Sequence, residues 1–190
     1  MASGLRGAAE LVERKEEWDQ EVMSALDREV NAVQNPALGA VVLWRFACGY
    51  QFASQLGEPA PLPVIFLVLP VLFDEDMSEM VAGTQVRSGL RVFVAKFSEA
   101  RTSKGDVVFS LENRSRIFRQ LTADSLRIAV GSGLVSVDPS RAGIFPTSTT
   151  FPKAGIPETL RPLLRSSEKF GKWLGELTLY EIGLVLKVAF

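Results

Sequence analysis

The sequence predicts a mainly α, α+β protein: a helical N-terminal part over residues 1–100, a middle part over 101–153 that closes on a short β-hairpin, and C-terminal helices over 154–190. Three observations carry this. Apolar residues recur at spacings of three and four along most of the chain, the period of helices with one buried face. Residues 35–73 hold the densest apolar run and the sharpest Pro and Gly punctuation. The period changes once, between Leu134 and Phe145, around Asp138-Pro139. With 190 residues and 47% hydrophobic content, all three parts can share one core.

In chain order, Leu11, Trp18, Val22, Leu26, Val30 and Val33 predict an amphipathic helix from Glu10 to Val33. It is acidic, since residues 1–34 hold four Lys/Arg against eight Asp/Glu. Asn35 is a good N-cap, and Pro36 suits the first helical position, where its missing N–H costs nothing. The helix starting there is apolar on several faces, so it should be mostly buried. A loop at Gly57-Glu58-Pro59-Ala60-Pro61 ends it. Pro63 to Leu69 carries no period and fits either a buried strand or a buried helix; Pro63 suits a helix's first turn, which favours the helix, and Pro70 would then kink or end it. Asp74-Glu75-Asp76 lacks the spacing of a calcium loop, which leaves a solvated turn or the cap of the next helix.

Short helices follow at Ser88–Ala100, Asp106–Phe118 and from Thr122 to Gly131 or Gly133, with Ser88 as a cap. Gly131-Ser132-Gly133 lacks a phosphate-loop ending and reads as a helix C-cap. Leu134, Val135 and Val137, then Ile144 and Phe145, flank a turn and make a hairpin. Helices that run into a hairpin through a Gly pair form the pattern of a winged-helix-like unit. After Phe151-Pro152-Lys153, Pro157-Glu158 starts a helix carrying Leu160, Leu163, Leu164, Phe170 and Trp173. A last apolar helix is predicted from Thr178 to Phe190.

Composition excludes much chemistry. The chain has no histidine and one cysteine, which removes the usual zinc sites, the Ser-His-Asp and Cys-His nucleophile systems and the ordinary near-neutral proton shuttle. Carboxylate, lysine or hydroxyl chemistry remains as the enzymatic alternative, and neither a metal nor a cofactor is expected. Cys48 reads as a small buried hydrophobe. The apolar run Leu62–Phe73 is twelve residues long where a bilayer span needs roughly 20, and no apolar leader opens the sequence, so a cytoplasmic protein is expected.

Net charge is −1, yet residues 101–153 hold eight Lys/Arg against four Asp/Glu. Arg114, Arg116, Arg119, Arg127 and Arg141 are therefore candidate phosphate contacts or rim contacts of an interface. A DNA-reading winged helix needs basic or polar side chains along its third helix. Here that helix offers Arg127 and ends in Gly-Ser-Gly, which favours a protein partner over base reading.

The segments NPALGAVVLWRFACGYQ and PLPVIFLVLPVLF, followed by a helical stretch and a short G-L-V hairpin, resemble the middle component of bacterial three-component ABC systems, the Lamassu-type antiphage and antiplasmid defence modules. The likeness rests on Asn35-Pro36, Trp44, Phe46, Gly49-Tyr50 and the two Leu-Pro pairs at 62–63 and 69–70. It implies a non-enzymatic accessory subunit that associates with an SMC-like ABC ATPase, with the effector, often a nuclease, on a third subunit; DNA contact would then be indirect. It brings no catalytic residues. Partner anchors are expected on the C-terminal helix at Leu179, Ile182 and Leu186, with the arginines at the rim. The alternative is a winged-helix DNA-binding transcriptional regulator.

Overall fold

The computed structural model describes residues 35–100, 107–150 and 155–190, so the helix expected at Glu10–Val33 lies outside the described residues. Helix α1, Pro36–Ala53, starts where Asn35-Pro36 predicts. Its buried residues run around the whole circumference, Arg45 among them. Two later helices, Arg119–Gly131 and Arg161–Gly175, pack most extensively on this helix.

Gly57, at φ 62°, turns the chain into a two-residue strand β1, Ala60–Pro61, and then helix α2, Leu62–Leu72. Pro70 does not end α2, and Phe73 N–H still donates to Leu69 O at 2.9 Å. An interior proline costs about 3 kcal/mol. Each fully buried Val, Leu or Ile returns about 1.5–3 kcal/mol, and α2 buries Val64, Ile65, Leu67, Val68, Leu69, Val71 and Leu72, so burial wins. Asp74 then caps α3, Glu75–Gly83, by accepting from Met77 N–H at 2.8 Å, which is the cap reading of the acidic triplet.

A 3-10 turn, Val86–Ser88, leads to α4, Gly89–Ala100. Helices α5, Val107–Ile117, and α6, Arg119–Gly131, meet at Phe118. The sequence starts α6 at Thr122, but Thr122 is fully buried on the face that also holds Ser125 and Ala129, so it is a core residue and the helix begins three residues earlier. Gly133, at φ 67°, closes α6, with Leu134 N–H donating to Ala129 O at 2.8 Å.

The hairpin forms as expected from β2, Val135–Asp138, and β3, Gly143–Pro146, in antiparallel register with Val137 opposite Ile144. Asp138 Oδ1 shapes the turn by accepting from Ser140 N–H at 2.9 Å and Ser140 O–H at 2.6 Å. β3 also pairs with β1, placing Ala60 opposite Ile144, so the sheet order is β1-β3-β2. Residues 60–61, expected as loop, thus complete a sheet whose other strands lie some eighty residues on. Helix α6 packs on α1, where a Cβ added to Gly39 would strike Ser125.

After a 3-10 turn, Glu158–Leu160, α7 spans Arg161–Gly175. It lies against α1 through Ser167, Gly171 and Gly175, spaced by four on one face. Ser167 O–H donates to Val42 O at 2.6 Å. A Cβ on Gly171 would run into the carbonyl of Phe46, so the two backbones approach as closely as side chains permit. Phe46, Phe170, Phe93 and Trp173 form a ring cluster with successive centroids 5.8, 6.4 and 5.9 Å apart, joining α1, α7 and α4. Side chains from all three parts of the chain contribute to one core.

Helix α8, Leu179–Leu186, opens with a capping box between Thr178 and Glu181. It stops four residues short of the predicted end. Lys187 adopts φ 51°, and Val188 N–H returns to Gly183 O at 3.0 Å, which folds the last residues back so that Phe190 lies against Gly183. Among the described residues no helix is long and apolar enough to cross a membrane.

Candidate interaction surfaces

Four of the five candidate arginines of the middle part pair with the chain's own acids. Arg114 pairs with Asp74 at 2.5 Å, tying α5 to the carboxylate that caps α3. Arg116 pairs with Glu112 at 2.8 Å and Arg127 with Asp124 at 2.8 Å. Gln120 also donates to Asp124, at 3.0 Å. Arg141 lies 3.9 Å from Asp138, whose carboxyl is held below its ordinary range first by the Ser140 hydroxyl. Arg119 is exposed and has no ion pair among the described residues. Four of the five positive charges are therefore balanced within about one helical turn or one contact. Among the described residues, most of this positive charge is screened by the chain's own acids.

The C-terminal anchors divide. Ile182 and Leu186 are buried in the chain's own core, because positions four apart share the inward face of α8, while Leu179 is 37% exposed. The opposite face carries apolar residues that the sequence reading did not single out: Tyr180 at 75%, Leu184 at 60% and, beyond the helix, Phe190 at 49% exposed. With Gly183 and Val188 they line a groove of about 560 Å³. Apolar residues occur on both faces of α8, so side-chain type alone does not mark the outward face, and the packing identifies it.

A second feature lies between α1 and α7. Arg45, buried, bonds Glu168, whose other oxygen accepts from Lys172 Nζ at 2.9 Å. Burial by itself would raise the Glu168 carboxyl, but the Lys172 hydrogen bond and the Arg45 charge outweigh it and hold it below its ordinary range. Cys48, one turn from Arg45, is pushed up to about 11 by burial, so its thiol stays protonated and inert. Beside this cluster a pocket of about 310 Å³ is walled by Val41, Trp44, Leu134, Ser148, Thr150 and Ile156.

On the far side of α7, Lys169 Nζ donates to the carbonyls of Val81, Ala82 and Thr84 at 3.0, 2.8 and 2.9 Å, satisfying the C-terminal end of α3. Its ammonium is correspondingly depressed by desolvation. Trp173, one turn on, donates to Val86 O at 2.8 Å. Helix α7 thus holds both α1 and the α3–α4 region in place. No group of three His, Cys, Asp or Glu side chains able to hold a metal ion occurs among the described residues.

These features define a class: a mainly helical protein with a small antiparallel sheet, whose described surface offers an apolar helix face and self-paired charges. The chain belongs to the ABC-three component (ABC-3C) system Middle Component 3 family, which it matches over residues 23–190. It is therefore a middle component, an accessory member of a multi-component ABC system. No curated protein and no solved structure matches it.

Proposed function

We propose that this middle component is a non-enzymatic adaptor of the Lamassu type, acting in bacterial defence against phage and plasmids by bridging an SMC-like ABC ATPase and an effector subunit, often a nuclease. The observation that carries the reading is the outer face of α8, where Tyr180, Leu184 and Phe190 stay exposed around an apolar groove. Aromatic side chains clustered on one exposed face are common anchors of a protein interface. In this reading Leu179, Tyr180, Leu184 and Phe190 dock the ATPase, and Arg116, Arg119 and Arg127 lie outside the anchor. Ile182 and Leu186 support the face from beneath.

The DNA-binding alternative draws on the order of elements, in which a helix, a strand and a second helix are followed, after α3–α5, by a third helix and a hairpin that shares the first strand. We read this as a winged-helix-like unit put to protein binding. On the third helix Arg127 and Gln120 are already held by Asp124, which leaves Arg119 as its one arginine free of an ion pair among the described residues. The test is pull-down of the ATPase component by full-length variants. Tyr180→Asp with Leu184→Asp is expected to lose the ATPase while keeping the wild-type circular dichroism spectrum, and Arg116→Ala with Arg119→Ala and Arg127→Ala to keep it. The reverse pattern overturns the assignment of the interface.

A further inference from the structure

The segment that leaves the hairpin, residues 147–150, is exposed, yet side chains of buried helix α1 hold its backbone. Trp44 Nε1–H donates to Ser148 O at 2.6 Å. Arg45 Nη1 donates to Thr149 O at 3.4 Å, and the Cys48 thiol lies 3.6 Å from the same Ser148 carbonyl. Ser148 and Thr150 form one wall of the 310 Å³ pocket, and Trp44 and Val41 another. The position of this short segment therefore sets the width of the pocket.

Arg45 is positioned in turn by Glu168 on α7, and its guanidinium lies 5.1 Å from the centre of the Trp44 ring. Glu168 is shared: one oxygen serves Arg45 and the other Lys172, whose ammonium reaches 5.0 Å from the ring of exposed Phe52. A carboxylate divided between two cations holds each less firmly than it would hold one alone. We propose that residues 147–150 are a strap over the apolar pocket, latched by Trp44 and Arg45, and that the division of Glu168 between Arg45 and Lys172 sets how firmly the latch holds. Glu168 acts through Arg45, as a positioning residue.

The opposite signs of two substitutions make this testable. The indole N–H of Trp44 reports the strap, and that of Trp173, bonded to Val86 O on the other side of α7, is an internal reference. In the full chain, hydrogen exchange of both indoles is followed by NMR. Glu168→Gln removes the charge that positions Arg45 and is expected to speed Trp44 exchange roughly tenfold, the effect of losing one charge-assisted hydrogen bond, with Trp173 unchanged. Lys172→Met leaves Glu168 to Arg45 alone and is expected to slow Trp44 exchange. Should Glu168→Gln not fold, Lys172→Met tests the same latch by itself. The proposal is overturned if Glu168→Gln leaves Trp44 unmoved, if Trp173 moves with it, or if Lys172→Met speeds or fails to change Trp44 exchange.

Discussion

The α5–α6 face and the outer face of α8 are opposites. The first is rich in charge and has little left to offer, since Asp74, Glu112 and Asp124 each take one of its arginines. The second has one acid, Glu181, engaged with the Thr178 backbone and hydroxyl, and leaves Tyr180, Leu184 and Phe190 exposed. A surface is available to a partner in proportion to what its own neighbours leave unsatisfied. Counting residue types misses this, because it treats a paired arginine and an unpaired one alike.

The sharpest way to break the comparison stays within α8. Ile182→Asp places a charge in a fully buried apolar site and is expected to cost about 4 kcal/mol or more, whereas Leu184→Asp, two residues away, is expected to stay within about 0.5 kcal/mol of wild type. Urea titration measures both; equal losses would mean that the outer face is packed after all. Next in size, Phe46→Ala removes a ring buried between Tyr50 and Phe170 and is expected to cost about 3–5 kcal/mol, read as a lowered midpoint at unchanged slope. A midpoint equal to wild type would remove Phe46 from the core.

Asp74→Ala comes third, at about 1–3 kcal/mol, because it deletes the α3 cap and leaves Arg114 without its buried partner. Arg114→Ala in the same background should add little, since the two residues share one interaction; full additivity would show that they act separately. The smallest effect belongs to the exposed pairs. Arg127→Ala is expected to change stability by about 0.5 kcal/mol or less. The same face should bind duplex DNA weakly, with a salt slope near that of one phosphate contact, about −0.9. A slope of about −4 would mean that the arginines leave their acids for phosphate, and the contrast between the two faces would fail.

The sequence made the helix starts and stops legible wherever a local side chain or backbone constraint decides them. Pro36 at the head of α1, Asp74 as a cap and Gly133 closing α6 all act within one turn, so their neighbours in sequence suffice. The turn at Asp138-Pro139 was readable for the same reason. Strand β1 was not, because two residues, Ala60 and Pro61, become a strand only through pairing with β3. The start of α6 was misplaced because Thr122 looks like a cap and is instead covered by packing.

On its own, then, the sequence determined a mainly helical protein with one hairpin and the exclusion of histidine-based chemistry, since periodicity, punctuation and composition are local or additive properties of the chain, and its segments at 35–51 and 61–73 carried the resemblance to three-component ABC middle components. Only the tertiary structure decided which side of α8 faces out, which acids neutralise the arginines, and how Ser167, Gly171 and Gly175 bring α7 against α1. Those outcomes depend on contacts between residues far apart in sequence. Arg114 and Asp74 lie on different helices, and Arg45 and Glu168 are 123 residues apart, so their pairing becomes fixed only when the core closes.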